Sequence, residues 1–266
     1  MSWAGGTFGA SATCVLAPNA DVMTLDGTNT WVLSSGEKSL VIDPGPTIDS
    51  HLDAVSAVGQ DVVGVLLTHH HADHAEAARD FAERHGCGVR ALDPAYRLGS
   101  EGLAGGDVVP VGDLEVHVVA TPGHTADSLC FVVPSESAVL TGDTVLGRGT
   151  TVVAHPDGEL GAYLSSLDRL HALCSSRGIT SVWPGHGPVI DDALGALDYY
   201  IAHRQSRLDQ VRDAMSTLAA QPHPEGIATD ELPRRVVEMV YSDVDPVLWG
   251  AAELSVRAQL AYLASH

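Results

Sequence analysis

The segment Thr-His-His-His-Ala-Asp-His at residues 68–74 constrains this chain more than any other part of its sequence. It follows an apolar run at 62–67, which predicts a buried strand, and it precedes 75–85, which is rich in Ala, Glu and Arg and predicts a helix. Its candidate metal ligands, in the pattern H-x-H-x-D-H, are His69, His71, Asp73 and His74. The first two would point the same way from extended backbone, and the last two would turn back as the helix begins. One short segment could therefore serve two metal ions.

Three later segments each place one further His or Asp directly after a predicted strand. The side chains are His124 after the strand predicted at 114–120, Asp143 after 138–140, and His186 after 179–183. Each lies beside Gly or Pro residues that fix a tight turn. One such turn alone is weak evidence of a site. Three of them, in this order after the histidine-rich segment, predict a single site built from strand ends.

The remaining hydrophobic pattern predicts an α/β domain. Further strands are predicted at 31–33, 39–43, 89–92 and 129–133, and further helices at 48–58 and 163–174. The first two of these strands flank a short polar turn and are typical of a hairpin. Strands of this domain repeatedly end in loops that carry His or Asp.

The length and composition favour a globular protein with a sizeable core. The chain has 266 residues, 45% of them hydrophobic and 18% charged. We predict a catalytic domain at 1–197 and a helical appendage at 198–266. No apolar stretch is long enough to span a bilayer, and the N-terminus lacks the features of a secretory signal, so a cytoplasmic location is expected. The four cysteines are dispersed without a C-x-x-C pair, and we expect them to be reduced and structural.

The charge of the chain bears on its partners. The formal net charge is −20 at pH 7, and Lys38 is the only lysine in the sequence. Neither predicted domain has the basic footprint of a nucleic-acid-binding protein, and aromatic residues make up only 5% of the chain. Divalent metals would neutralise part of the acidity if the predicted site holds them.

Taken together, the seven His and Asp side chains resemble the ligand set of the metallo-β-lactamase-fold hydrolase superfamily over roughly residues 10–190. The resemblance implies a four-layer αβ/βα sandwich with the site at one end of its two sheets. The ligands that it implies for a first metal are His69, His71 and His124. Those that it implies for a second metal are Asp73, His74 and His186, with Asp143 as a bridge between the two ions.

Residues 25–31 and 142–151 resemble the lactamase-beta-2-like branch of that superfamily, which includes a mitochondrial single-strand endoribonuclease. The branch carries a small, helical, winged-helix-like appendage. Here the sequence predicts one helix at 192–218, a second that ends at Tyr241 and is capped by Thr229 or Asp230, and a third that opens at Asp245-Pro246. Because this region is acidic, we expect it to pack or to form a homodimer rather than to bind nucleic acid.

The chemistry of these residue types supports the resemblance. Imidazole and carboxylate ligands suit Zn²⁺, with Fe or Mn as alternatives. Two ions about 4 Å apart can share a bridging water and lower its pKa, so that hydroxide attacks a carbonyl or phosphoryl centre near neutral pH. The resemblance makes Asp73 the candidate catalytic proton shuttle. Asp43, at a strand end, is a candidate to orient a ligand histidine, and His155 is a candidate to lie near the substrate.

Several known uses of this centre fit the sequence poorly. One zinc class of true β-lactamases has Cys where this chain has Asp143. The 43 positions from Asp143 to His186 are too few for the inserted domain of the β-CASP nucleases, and the basic arm of the tRNA 3′-processing enzymes is not visible. Glyoxalase II thioesterases share all seven ligands and remain compatible.

The substrate therefore stays open at this stage. A dinuclear zinc hydrolase could cleave a small thioester, ester or lactone, or a phosphodiester of single-stranded RNA. A mononuclear-iron persulfide dioxygenase of the same fold, which uses two His and one Asp, is a second possibility. A regulator without catalytic activity, acting through the C-terminal helices, is a third.

Overall fold

The computed structural model describes residues 2–220 and 230–265, and the strands found there form two mixed sheets. The first sheet contains β1 (Gly6–Phe8), β2 (Ala12–Leu16), β3 (Asn29–Ser35), β4 (Lys38–Ile42), β5 (Asp61–Leu66) and β6 (Val89–Arg90), in that spatial order. The second contains β7 (Val108–Val111), β8 (Leu114–Ala120), β9 (Leu129–Val133), β10 (Ala138–Gly142) and β11 (Ser181–Pro184), in the spatial order β11-β10-β9-β8-β7. The helices are α1 (Asp49–Val58), α2 (Ala72–Ala75), α3 (Ala78–His85), α4 (Leu160–Arg177), α5 (Ala193–Ala220), α6 (Leu232–Val240) and α7 (Trp249–Ser265).

Alternating side chains on the strands create the layers. On β3, Trp31 and Leu33 join the core between the two sheets, whereas Val32 packs outwards in the cluster that contains α1 and α3. On β9, Phe131 faces the core between the sheets and Val132 faces α4 and α5. Both faces of each sheet are therefore covered, as expected for strands that are hydrophobic on both sides. The result is the predicted four-layer α/β sandwich.

Parallel pairing brings the functional strand ends together. Strands β4 and β5 run parallel, as do β10 and β11, while the other pairs in both sheets except β5–β6 are antiparallel. The carboxyl ends of β4 and β5 are adjacent because Ile42 pairs with Leu66. A backbone hydrogen bond from Leu129 N–H to the Thr68 carbonyl, at 2.8 Å, joins the second sheet to the end of β5. The loops that carry His and Asp therefore meet at one edge of the sandwich.

The prediction of one continuous helix after the histidine-rich segment is wrong. The sequence predicts a single helix over 75–85, but the structure contains a one-turn helix, α2, and then α3. Gly45 separates them: its N–H donates to the His74 carbonyl and its carbonyl accepts from Ala77 N–H, both at 3.2 Å. These two groups would otherwise bond within a continuous helix. His74 is in the short helix α2, directly before the break.

The C-terminal region is helical in the part that the structure describes. Helix α5 begins on the second sheet, where Leu197 packs beside α4, and continues across the predicted boundary at 197/198. Its later turns, at Val211 and Leu218, form a small separate core with α6 and α7. Residues 198–220 and 230–265 contain no strand, so the winged-helix likeness stays a prediction. The cap predicted at Thr229 lies outside the described residues.

In the described ranges, every helix is too short or too polar to cross a lipid bilayer.

Candidate metal centre

Three imidazole nitrogens converge at the edge of the first sheet. His71 Nδ1 lies 3.1 Å from His69 Nε2 and 3.1 Å from His124 Nε2. His69 and His71 come from the segment after β5, and His124 comes from the turn after β8. Together with Asp143, these three residues form a compact group in which one ligand atom from each lies within 4.8 Å of the others. Such a group can hold one metal ion.

A second group lies directly beside the first. Asp73 Oδ2 lies 3.1 Å from His186 Nε2 and 3.3 Å from His74 Nε2. The two imidazole nitrogens are 3.2 Å apart. His186 is brought in by the turn after β11, and the other two residues belong to α2. This group has two nitrogens and one oxygen, a donor set that also suits a divalent metal.

The carboxylate of Asp143 lies between the two groups. Its Oδ1 is 3.4 Å from His74 Nε2, and its Oδ2 is 3.4 Å from His186 Nε2 and 3.7 Å from His124 Nε2. Oδ1 is buried and has no hydrogen-bond partner among the described residues. A buried carboxylate oxygen without a donor is costly unless a cation compensates it. The position and the missing donor both fit a carboxylate that contacts two ions.

Backbone carbonyls fix two of the imidazole rings from behind. His124 Nδ1 lies 2.7 Å from the Val152 carbonyl, and His186 Nδ1 lies 3.1 Å from the Gly27 carbonyl. A carbonyl can only accept, so each Nδ1 carries the proton and donates. Each Nε2 is therefore directed into the centre, as required of a metal ligand.

Asp43 fixes two further rings through one carboxylate. Its Oδ2 accepts from Thr68 Oγ1 at 2.6 Å and from His74 Nδ1 at 2.9 Å, and its Oδ1 accepts from Thr68 N–H at 2.8 Å. The Thr68 hydroxyl proton is thus used, so His69 Nδ1, 3.0 Å away, must donate to that oxygen. The grouping of Asp43 with His69 and His74 is accordingly a hydrogen-bond network behind the ligands rather than a third metal site. Thr68 itself was not predicted.

The segment 25–31 supports the candidate ligands Asp73 and His186 through hydrogen bonds. The buried Thr28 hydroxyl donates to Asp73 Oδ2 at 3.1 Å. Asn29 Nδ2 donates to the carbonyls of Pro184 and Gly187, both at 2.9 Å, on either side of His186. These contacts give residues 25–31 a physical role. Thr28 holds Asp73 directly, and Asn29 holds the turn that carries His186. The Thr28 contact joins residues 45 positions apart and was not predicted.

The pKa values of the histidines are shifted differently in the two groups. Burial lowers the pKa of His69 and His124, and it lowers that of His71 to about 4. These rings are therefore neutral near pH 7 and have a lone pair to offer. Burial also lowers the pKa of His186, but the adjacent Asp143 and Asp73 outweigh it and raise the value to about 9.

The two carboxylates of the centre stay ionised. Burial raises the pKa of Asp73, but the neighbouring His74 and the hydrogen bond from His186 hold it well below its usual range. For Asp143, the same two histidines outweigh burial and also hold the pKa well below the usual range. The protons that neutralise these carboxylates occupy the second group, where a metal cation would replace them.

A cavity of about 590 Å³ opens over both groups. Asp73, Asp143 and His71 line it, about half of the other lining side chains are apolar, and its surface is mainly apolar. Those apolar residues include Val22, Met23, Leu25, Leu146, Val152, Val244 and Leu248. A pocket of this size and character is typical of a small-molecule site.

The structure thus brings the seven predicted ligands together and places Asp43 behind them. It does not bring His155 to the site: that residue is exposed and does not line the cavity. His70 points away from the ligands, as expected from the alternation of side chains, and its Nδ1 contacts Asp127 Oδ1 at 2.8 Å. Arg204 lines the cavity and was not singled out from the sequence.

Comparison with known proteins agrees with this geometry. The family profile described as "Metallo-beta-lactamase superfamily" matches residues 23–174. The lactamase-like protein aptB of Emericella nidulans is 35% identical over 202 residues, which are 74% of this chain but only 63% of that protein. The beta-lactamase-like protein 2 homolog of Drosophila melanogaster is 30% identical, over 94% of this chain and 86% of its own.

Solved structures show the same fold. The metallo-beta-lactamase family protein TTHA1429 from Thermus thermophilus superposes with a TM-score of 0.76 at 22% identity, over 96% of this chain and 93% of its own. TTHA1623, solved in a di-iron-bound form, gives a TM-score of 0.55 at 26% identity, over 68% of this chain and 96% of its own. The chain therefore belongs to the metallo-beta-lactamase superfamily and has its fold.

Proposed function

We propose that the chain is a dinuclear zinc hydrolase that cleaves a small, largely apolar thioester, ester or lactone. The observation that carries the proposal is the position of two adjacent groups of ligand atoms, with Asp143 between them, on the floor of a mostly apolar cavity. When bound there, two divalent ions would supply an activated water near neutral pH and positive charge to stabilise a developing oxyanion. His69, His71 and His124 would hold one ion, and Asp73, His74 and His186 the other.

The donor set supports zinc. Five imidazoles and two carboxylates form a mixed nitrogen and oxygen environment that Zn²⁺ accepts readily, and no cysteine takes part. The same donors also accept iron, and TTHA1623 holds two iron ions. Metal analysis of the purified protein therefore belongs to the test.

Asp73 is the residue that we propose as the proton carrier. Its side chain is 28% exposed towards the cavity, whereas that of Asp143 is 11% exposed. The Thr28 hydroxyl and His186 hold its Oδ2 in place. Because its carboxylate remains ionised, it can take a proton from the attacking water and pass it to the leaving group.

The cavity favours a small substrate over RNA. Single strands are usually bound along a basic groove with aromatic rings for stacking. This cavity is mainly apolar, in a protein of net charge −20. A single-strand endoribonuclease is the second candidate, and the likeness to the Drosophila beta-lactamase-like protein 2 homolog along 94% of this chain favours it.

The test compares substrate classes on one preparation of zinc-loaded protein. Acyl thioesters, acyl esters, lactones and labelled single-stranded RNA are assayed side by side, with zinc and iron counted per chain. We expect about two zinc ions and hydrolysis of the small acyl compounds. His69→Ala is the blank for contaminating nuclease, and Asp73→Asn should lose at least about 100-fold in kcat.

The outcomes separate the candidates. Cleavage of RNA alone, absent from the His69→Ala blank, would replace the small-substrate proposal with the endoribonuclease. One iron per chain, with oxygen consumed on a persulfide substrate, would replace hydrolysis with the dioxygenase reaction.

A further inference from the structure

The C-terminal helices form one wall of the cavity over the candidate metal centre, and this wall carries basic side chains. Helix α5 contributes His203, Arg204 and Arg207, and Arg148 lies in the loop after β10. Three of the 14 lysine and arginine residues in the chain therefore line one cavity. Among the described residues that line it, the only carboxylates are Asp73 and Asp143 at the candidate metal centre.

Arg204 differs from the other two arginines in its partners. Arg148 pairs with Asp26, and Arg207 lies 4.0 Å from Asp243 and donates to the Val240 carbonyl at 2.7 Å. Arg204 is only 4% exposed. In the described ranges no carboxylate pairs with it, and its Nε is buried without a hydrogen-bond partner.

The contacts that Arg204 does make are neutral. Its Nη2 donates to the Thr151 carbonyl, and its guanidinium carbon lies 5.0 Å from the centre of the Tyr163 ring. A carbonyl and an aromatic face compensate a buried cation only in part. The neighbouring His203 reflects the local positive charge, because burial and the nearby Arg204 and Arg207 lower its pKa. An anion at this wall would remove the imbalance.

We propose that Arg204 binds an oxyanion of the substrate, a carboxylate on the acyl chain or a phosphate on the leaving group, while the scissile bond lies at the metal centre. This inference rests on the proposed hydrolase function and narrows its substrate class to anionic acyl compounds. The apolar residues that also line the cavity would contact the hydrocarbon part.

A purely structural role for Arg204 predicts a different experimental result. The Thr151 carbonyl that it binds belongs to the segment behind His124, since Thr151 Oγ1 lies 3.2 Å from His124 Nδ1. If Arg204 served only to hold this segment, its loss would weaken the metal site and would slow all substrates equally. The experiment therefore measures selectivity between matched probes.

The kinetic probes are three thioesters of equal acyl length: hexanoylpantetheine, 5-carboxypentanoylpantetheine and hexanoyl-4′-phosphopantetheine. We expect wild type to prefer one of the two anionic probes over the neutral one by about tenfold or more in kcat/KM, mostly through KM. Preference for the second probe identifies a carboxylate, and preference for the third identifies a phosphate. Hydrolysis of all three at equal rates would overturn the inference while leaving the hydrolase proposal intact.

Variants test whether Arg204 is the source of this preference. Arg204→Gln should bring the anionic probe down to the rate of the neutral probe, which itself stays within about twofold, and Arg204→Lys should retain part of the preference. Arg212→Gln, which removes an exposed α5 arginine that pairs with Asp209 and does not line the cavity, should keep the preference. An equal loss on all probes in Arg204→Gln, or loss of bound zinc, would assign the structural role instead.

A binding measurement makes the test independent of turnover. Calorimetry on the zinc-loaded protein compares hexanoate, adipate and 6-phosphonohexanoate, each of which can place one carboxylate at the metal centre. We expect one of the two dianions to bind at least about tenfold more tightly than hexanoate in wild type, and equally with it in Arg204→Gln. Equal affinities for all three in wild type would overturn the inference, even if none of the thioesters is a substrate.

Discussion

At the scale of single residues, the carboxylate of Asp43 links both groups of candidate ligands. One of its oxygens accepts from His74 directly and from the Thr68 hydroxyl, which in turn accepts from His69. Asp43 has a backbone φ of 50°, in the left-handed region that Asp and Asn tolerate better than most residues. Asn can therefore replace it without backbone strain.

We expect Asp43→Asn to fold normally and to bind zinc about 10- to 100-fold more weakly. The amide oxygen can accept from Thr68 Oγ1 and His74 Nδ1, but the amide NH2 then faces the Thr68 N–H, which loses its acceptor, and the negative charge behind the histidines is lost. Competition with a fluorescent chelator measures the affinity. The matched control is Asp113→Asn, an exposed position between β7 and β8, which should bind zinc as wild type does. Equal affinities in the two variants would contradict the role given to Asp43.

Residues with a local signature were predictable and those with only distant partners were not. His69 to His74 share one segment, and His124, Asp143 and His186 each follow a strand beside a turn residue, so sequence spacing was sufficient to predict them. Thr68 and Arg204 carry no such signature. Their importance depends on partners 25 and 53 positions away along the chain, which only the fold brings close.

At the scale of elements, the turn after β11 approaches the metal centre so closely that it requires glycine. A methyl group added at Gly185 would lie 2.6 Å from Asp143 Oδ1 and 2.8 Å from His74 Cε1. Both distances are shorter than van der Waals contact, so the Asp143 carboxylate would have to move.

Gly185→Ala should therefore lower kcat/KM by about 100-fold or more and reduce the bound metal below two ions per chain. Gly250→Ala is the control, because a methyl group there meets nothing within 4 Å and the residue is inside α7. That variant should keep full activity and be as stable as wild type or up to about 1 kcal/mol more stable. Full activity in Gly185→Ala would show that Asp143 does not need its present position.

Helix α1 contributes a group whose titration should affect stability. His51 is 2% exposed, and its Nε2 lies 2.8 Å from Thr30 Oγ1. Burial lowers the pKa of His51 to about 4, and it outweighs the backbone hydrogen bond to Pro44, which raises the pKa. The unfolded chain takes up this proton below about pH 6.5 and the folded chain only near pH 4. The stabilising contribution is thus complete above pH 6.5 and is lost as the pH falls towards 4.

We expect His51→Gln to flatten the acid dependence of stability by about 1–3 kcal/mol between pH 6.5 and 4. Both proteins are studied after chelation, so that loss of metal does not contribute to the difference. Urea unfolding at each pH gives the free energies. Parallel curves for the variant and wild type would show that His51 titrates normally in the fold.

Hydrophobic periodicity predicted most of the long helices and strands. The elements that it missed have physical explanations. Strand β7 contains Pro110, which argues against a strand in the sequence but is tolerated here because β7 is the edge of its sheet. Strand β1 has three residues and begins with Gly6, which is too short for a pattern. The break between α2 and α3 depends on Gly45, a contact from outside the helix that helix propensity does not include.

At the scale of the whole molecule, the two-sheet architecture determines where the candidate metal centre lies. Each sheet contributes ligands only from loops at one edge, so the ions would sit where the sheets meet, and the C-terminal helices close the cavity above them. The chain has a net charge of −20, yet three arginines line this cavity together with Asp73 and Asp143. These features are the basis on which we propose a small anionic substrate rather than a nucleic-acid strand.

Anomalous diffraction from crystals of the zinc-loaded protein, recorded on both sides of the zinc edge, tests the central claim most directly. We expect two zinc peaks, one bound by His69 Nε2, His71 Nδ1 and His124 Nε2, and one bound by Asp73 Oδ2, His74 Nε2 and His186 Nε2, with Asp143 contacting both. His186→Ala should lose the second peak and keep the first. A single peak in wild-type crystals, or a peak outside these two groups, would contradict the dinuclear centre.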